Sequence, residues 1–105
     1  MATYSTYGTS AYDAGEFAEL AGDRLGLAFV GHDSHYRGIY YLAVAGPHHI
    51  EIQPNALPDD DDGLYDPEHP DMETLLLLSG PSPDTTLTAT LDSIDALVLL
   101  SRETL

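Results

Sequence analysis

The sequence predicts an α+β domain, a two-layer sandwich in which a mixed five-stranded sheet carries two helices in the order α-β-β-β-β-α-β. Three observations predict it. A capped apolar stripe runs from Asp13 to Leu25, as expected of a helix lying on a sheet. Period-two alternation at 39–44 and 48–53 marks two strands joined by the turn Ala45-Gly46-Pro47. A strand–helix–strand pattern then closes the chain between residues 72 and 101.

Residues 1–12 are polar and rich in tyrosine (Tyr4, Tyr7, Tyr12), which fits a frayed arm or an edge strand equally. The first helix starts at Asp13. Asp13-x-x-Glu16 has the form of a capping box, in which two end N–H groups are satisfied reciprocally. Phe17, Leu20, Ala21 and Leu25 share one helical face, and Gly26 stands where a left-handed cap is expected. Leu27–Val30 reads as the first strand, followed by a loop over 31–38. Ile39–Val44 is apolar on both faces, with Tyr40 and Tyr41 on opposite ones. His48–Gln53 points Ile50 and Ile52 inward and His49, Glu51 and Gln53 outward. These three strands predict an antiparallel meander.

Residues 54–71 form a long acidic loop. Met72–Ser79 is a continuous apolar strand, the pattern of burial on both faces. Ser82 is the expected N-cap of the second helix, with Pro83 in the first turn and Asp84 suited to the helix dipole. Leu87, Leu91 and Ile94 make its buried stripe, and its threonines, mediocre helix formers, leave packing to hold it. Ala96–Ser101 is the last strand. A right-handed crossover would place it parallel to the strand at 72–79.

The chain of 105 residues makes one domain, 1–105, with the Pro/Asp-rich segment 54–71 as its outlying part. Three Arg and no Lys stand against eighteen acids, a net charge of −15. Nucleic-acid binding is excluded as an expectation, because phosphate neutralisation needs Lys and Arg, and so is adhesion to an anionic membrane. No apolar run approaches a membrane span. The N-terminus has no basic n-region or apolar h-region, so a cytoplasmic protein is expected. The absence of cysteine excludes disulfides, thiolate metal sites and a Cys nucleophile.

Residues 59–73 hold eight of the eighteen carboxylates. An EF-hand reading fails: with the invariant glycine at Gly63, Pro58 takes the first position and His69 the last, and neither is a carboxylate. Four prolines stiffen the loop (Pro54, Pro58, Pro67 and Pro70). A second candidate is His32-Asp33-x-His35, whose imidazoles and carboxylate are the donor types of a zinc, nickel or copper site, with Asp66, Glu68 or His69 as further donors. His48 and His49 alternate faces and lie roughly 20 Å from that group along a strand, so four histidines do not converge. Catalytic signatures are missing: there is no phosphate-cradling glycine loop, no G-x-S-x-G elbow, and Ser34 beside Asp33 and His35 is adjacency rather than a triad. The expectation is a protein that is not an enzyme and uses no cofactor.

The pattern points to a non-catalytic binding protein that masks a basic protein partner. Immunity proteins and DNA-mimic inhibitors of toxins and nucleases share this size and charge, an analogy of character alone. The partner-binding residues expected are Asp59, Asp60, Asp61, Asp62, Tyr65, Asp66 and Glu68, with Asp33 and Tyr36 from the neighbouring loop. Tyr65 is the anchor candidate, since tyrosine is large, stiff and amphipathic. The alternatives are a metal-binding protein using His32, Asp33 and His35, and a structural or oligomeric module whose acidity is a signature of its host proteome. Oligomeric state is not encoded in any of these features.

Overall fold

A computed structural model describes residues 2–34, 38–56, 64–81 and 85–104. Its elements are β1 (Thr3–Thr9), α1 (Ala14–Leu25), β2 (Val30–Ser34), β3 (Gly38–Ala45), β4 (His48–Pro54), β5 (Thr74–Gly80), α2 (Thr85–Asp92) and β6 (Val98–Thr104). The α+β class holds. The sheet differs from expectation in two respects: it has six strands, in the order β2-β3-β4-β5-β1-β6, and every neighbouring pair is antiparallel.

Both differences come from β1. The N-terminal segment is neither an arm nor an edge; it inserts between β5 and β6 and pairs antiparallel with each. β5 and β6 therefore run in the same direction without touching, and the strand–helix–strand crossover skips one strand. Thr3, Ser5, Tyr7 and Thr9 all point into the core side and are buried. Small hydroxyls in three of these four positions disguise the strand from a hydropathy pattern. Two of them are satisfied: Thr9 Oγ1 accepts the Ala11 N–H at 3.1 Å, and Ser5 Oγ accepts the Arg102 Nε–H from the neighbouring strand at 3.1 Å.

α1 begins as expected. Asp13 Oδ1 accepts the Glu16 N–H at 2.8 Å and the reciprocal half of the capping box is present. It ends on Gly26 at φ 68, a left-handed conformation that a Cβ would strain. The Leu27 N–H then reaches back to Gly22 O at 3.0 Å, the long bond of a Schellman cap. That bond explains the shifted first strand: Leu27 and Phe29 pack on the core as a connector, and β2 starts only at Val30. Of the expected loop 31–38, residues 31–34 and 38 are strand, and 35–37 lie outside the described residues. The last strand also starts later than expected, at Val98, because the Leu97 N–H closes a turn onto Ile94 O at 3.1 Å. The N-cap residues expected for α2, Ser82 to Asp84, lie outside the described residues.

Both helices pack on one face of the sheet. Phe17, Ala21 and Leu91 meet Tyr7, Ile50, Ile52, Leu76 and Leu78 there. Phe17, Ile50, Ile52, Leu76 and Leu91 are fully buried, and each such side chain contributes about 1.5–3 kcal/mol. Tyr12 stacks on Phe17 at a centroid distance of 6.1 Å, closing the α1 end of the core.

The other face has no helix. Its rows follow from the registers: His49, Ser79, Tyr4 and Glu103 lie side by side, then Glu51, Leu77, Thr6 and Ser101. One end of this face is covered. Gln53, expected to face solvent, is fully buried beside fully buried Leu75, and the Met72 side chain lies with Leu100 against Gly8 in the same row. Met72 and Tyr65, from the described part of the segment between β4 and β5, lie against this face.

Candidate functional site

The β4–β5 connection is a hairpin loop built on Asn55, which is 1% exposed. Its side-chain amide donates to His69 O and Met72 O, each at 3.0 Å, and its Oδ1 accepts the Asp66 N–H at 2.8 Å. Its backbone N–H donates to Glu73 O at 2.9 Å and its carbonyl accepts the Tyr65 N–H at 2.7 Å. One side chain thus ties three points of the loop to the end of β4. Sequence reasoning missed it. The available signal was a lone amide, directly after the strand-ending Pro54, with both donor and acceptor capacity.

Asp66 is the second node. Its Oδ2 lies 2.8 Å from His69 Nδ1 and its Oδ1 accepts the Glu68 N–H at 3.2 Å. A carboxylate only accepts, so Nδ1 carries the proton in this pair. The His69 N–H also returns to Asp66 O at 3.2 Å. Both oxygens of Asp66 are therefore engaged within the loop, and its role is to shape the turn. Glu68, Asp71 and Glu73 remain exposed. The Asp59–Asp62 run lies outside the described residues, but the residues flanking its segment, Ala56 and Leu64, form an antiparallel bridge.

Tyr65 is 46% exposed. With Tyr4, Glu51, Thr6, Leu77 and Ser79 it lines a groove of about 320 Å³ on the helix-free face. A second hollow of about 280 Å³ lies between α1 and β3, lined by Glu19, Asp23, Phe29 and Tyr41. Tyr40 and Tyr41 separate as alternation requires: Tyr41 packs on the core, and Tyr40 stacks on His32 at 5.3 Å on the other face.

The expected composite surface is only partly assembled. β2 and β4 end at the same end of the sheet, so Asp33 and the acidic loop share that end. Tyr65, however, faces Tyr4 on β1, four strand spacings from β2, or roughly 19 Å. Asp33 is therefore remote from the β1 side of that groove, whose β4 side, at Glu51, lies two strand spacings from β2. Tyr36 lies outside the described residues, as does His35. His32 and Asp33 are successive residues of β2 and point to opposite faces, so strand geometry does not bring those two metal-ligand candidates together. Among the described residues no group of three or more His, Asp or Glu is placed to hold a metal ion. No helix among them is long and apolar enough to cross a membrane.

No protein-family model matches the chain, and no curated protein matches its sequence.

Proposed function

We propose that this is a small acidic binding protein that acts without catalysis, masking a basic protein partner such as a toxin or nuclease. The observation that carries the proposal is the exposed set Tyr65, Glu68, Asp71 and Glu73 on a loop tied down by Asn55, in a chain with a net charge of −15. A surface already ordered before contact loses little conformational freedom on binding. Complementary charge then accelerates encounter and discriminates against acidic competitors. Asp59–Asp62 add four carboxylates to the sequence between Asn55 and Tyr65, and Tyr65 supplies exposed aromatic contact area.

The proposal is tested by immobilising the protein, identifying the proteins it retains at low salt, and titrating the purified partner against wild type and an Asp59–Asp62→Asn variant. The expected partner is basic and binds the variant roughly tenfold more weakly. Equal affinity for the two forms rejects the proposal, as does a retained partner of acidic or neutral charge.

A further inference from the structure

The hollow between α1 and β3 has an aromatic wall and an acidic rim. Tyr41 rises from β3 and Phe29 from the connector after α1, and both are partly buried against the core. They meet the helix at its two glycines. A Cβ added at Gly15 would lie 3.2 Å from Tyr41 Oη, and one at Gly22 would lie 3.6 Å from Phe29 Cδ2. Glu19 and Asp23 stand on successive turns along the rim, and both are exposed. We propose that this hollow receives a basic side chain, lysine or arginine, from a protein partner, with Phe29 and Tyr41 as aromatic contacts and Glu19 and Asp23 as counter-charges. The inference rests on the acidic-binder reading and adds a second contact to it.

The two carboxylates are open to a ligand. Among the described residues, neither side chain makes a hydrogen bond or an ion pair. Arg24 follows Asp23 in the chain without pairing with it, and Arg102 is hydrogen-bonded to Ser5 and Tyr7. Residues four apart on a helix are neighbours, and like charges at that spacing oppose the helix. A cation held between Glu19 and Asp23 removes that opposition. The Tyr41 hydroxyl also has no hydrogen-bond partner among the described residues. It offers a further acceptor at the Gly15 end.

The remaining lining suits the stem of a basic side chain. An ammonium or guanidinium over an aromatic face is attracted by the ring quadrupole, while its methylenes cover apolar surface such as Leu27 and Ala18. The volume of about 280 Å³ falls just below the range of ligand pockets, which favours one side chain over a whole small molecule. The position suits the same partner as the loop. α1 starts at the end of the sheet where the acidic connection rejoins β5: Thr74 Oγ1 donates to Tyr12 O at 2.8 Å, and the Glu73 N–H donates to Thr9 O at 3.0 Å. Gly15 follows Tyr12 by three residues, so one basic protein reaches both places.

The test titrates end-blocked glycine peptides containing one lysine, one arginine or one norleucine against the whole protein by NMR. The lysine and arginine peptides are expected to shift the signals of Ala18, Gly22 and Phe29, and neutral norleucine is not. Glu19→Gln combined with Asp23→Asn should weaken both roughly tenfold, and Phe29→Leu, which keeps the apolar bulk, roughly threefold. A charge-matched control, Glu73→Gln combined with Glu103→Gln, should bind like wild type. Far-UV circular dichroism checks that each variant keeps its helices. An absence of shifts at the hollow overturns the inference. So does equal weakening by the control pair, which would show attraction by net charge alone. The two ideas fail separately. If Asp59–Asp62→Asn weakens the basic partner but the Glu19 and Asp23 pair does not, the hollow inference alone falls. If the basic peptides occupy the hollow while Asp59–Asp62→Asn binds the partner like wild type, the acidic-loop reading falls and the hollow stands.

Discussion

The side-chain carbonyl of Asn55 accepts the backbone N–H of Asp66 at 2.8 Å, eleven residues away along the chain. With the two amide bonds to His69 O and Met72 O, it ties residues 66–72 of the acidic connection to the end of β4. Asn55→Ala deletes all three bonds at a buried site and should cost about 2–4 kcal/mol in urea unfolding. Asn55→Asp should be worse at neutral pH, because it turns both donors into acceptors facing carbonyls. Cleavage within 64–73 by a protease should accelerate in both variants. A loss under about 0.5 kcal/mol would show that the loop does not depend on this residue.

Gly80 faces the buried ring of His48 across the end of the sheet, where an added Cβ would collide with the imidazole. Gly80→Ala should cost about 1–3 kcal/mol. The double variant with His48→Ala should lose less than the sum of the two single losses, since the clash is then gone. Additive losses in a double-mutant cycle would contradict this packing.

Burial raises the Tyr7 phenol above its ordinary value of 10.0, and Asp92 adds to the effect, while Arg102 opposes it through its charge and its 3.2 Å hydrogen bond. The unfolded chain therefore releases this proton first as pH rises. Tyr7 contributes full stability below pH 10, and that contribution declines as pH climbs from 10 toward the higher folded value. Tyr7→Phe should lose about 0.5–1.5 kcal/mol at neutral pH with the Arg102 bond, and it should show a shallower alkaline decline. Parallel pH profiles for the two proteins would refute the assignment.

The parts of the fold that were legible in the sequence are those written in hydrophobic period and cap chemistry. Asp13, Glu16 and Gly26 mark the ends of α1 because capping is local. Ile50 and Ile52 reveal β4, and the apolar run around Leu75–Leu78 reveals a strand, buried at Leu75, Leu76 and Leu78 but only partly at Leu77 on the helix-free face. β1 was not legible as an interior strand, because Thr3, Ser5 and Thr9 fill its inward positions and their burial depends on neighbours far away in the chain. The crossover misled for the same reason: direction is local, but which strand lies beside β5 is decided by β1. At the site, Tyr65 was legible as an exposed aromatic in an acidic stretch. Its partner Tyr4 and the keystone Asn55 were not, since each acquires its role only through long-range pairing.

Charge repulsion should make stability depend on salt. With a net charge of −15, the compact state is strained by self-repulsion, and sodium chloride shortens the screening length from roughly 30 Å toward 8 Å over the accessible range. Melting temperature should rise with salt and rise less in the Asp59–Asp62→Asn variant. A flat response in wild type would mean that the acids are too dispersed to strain the fold.

The central claim is that the acidic loop end binds a basic protein. The most direct measurement is the dissociation constant of the purified partner for wild type and the Asp59–Asp62→Asn variant across a sodium chloride series. The account predicts a gap of roughly tenfold at low salt that closes as salt rises, carried mainly by the association rate. Identical constants for the two forms at every salt concentration would contradict it.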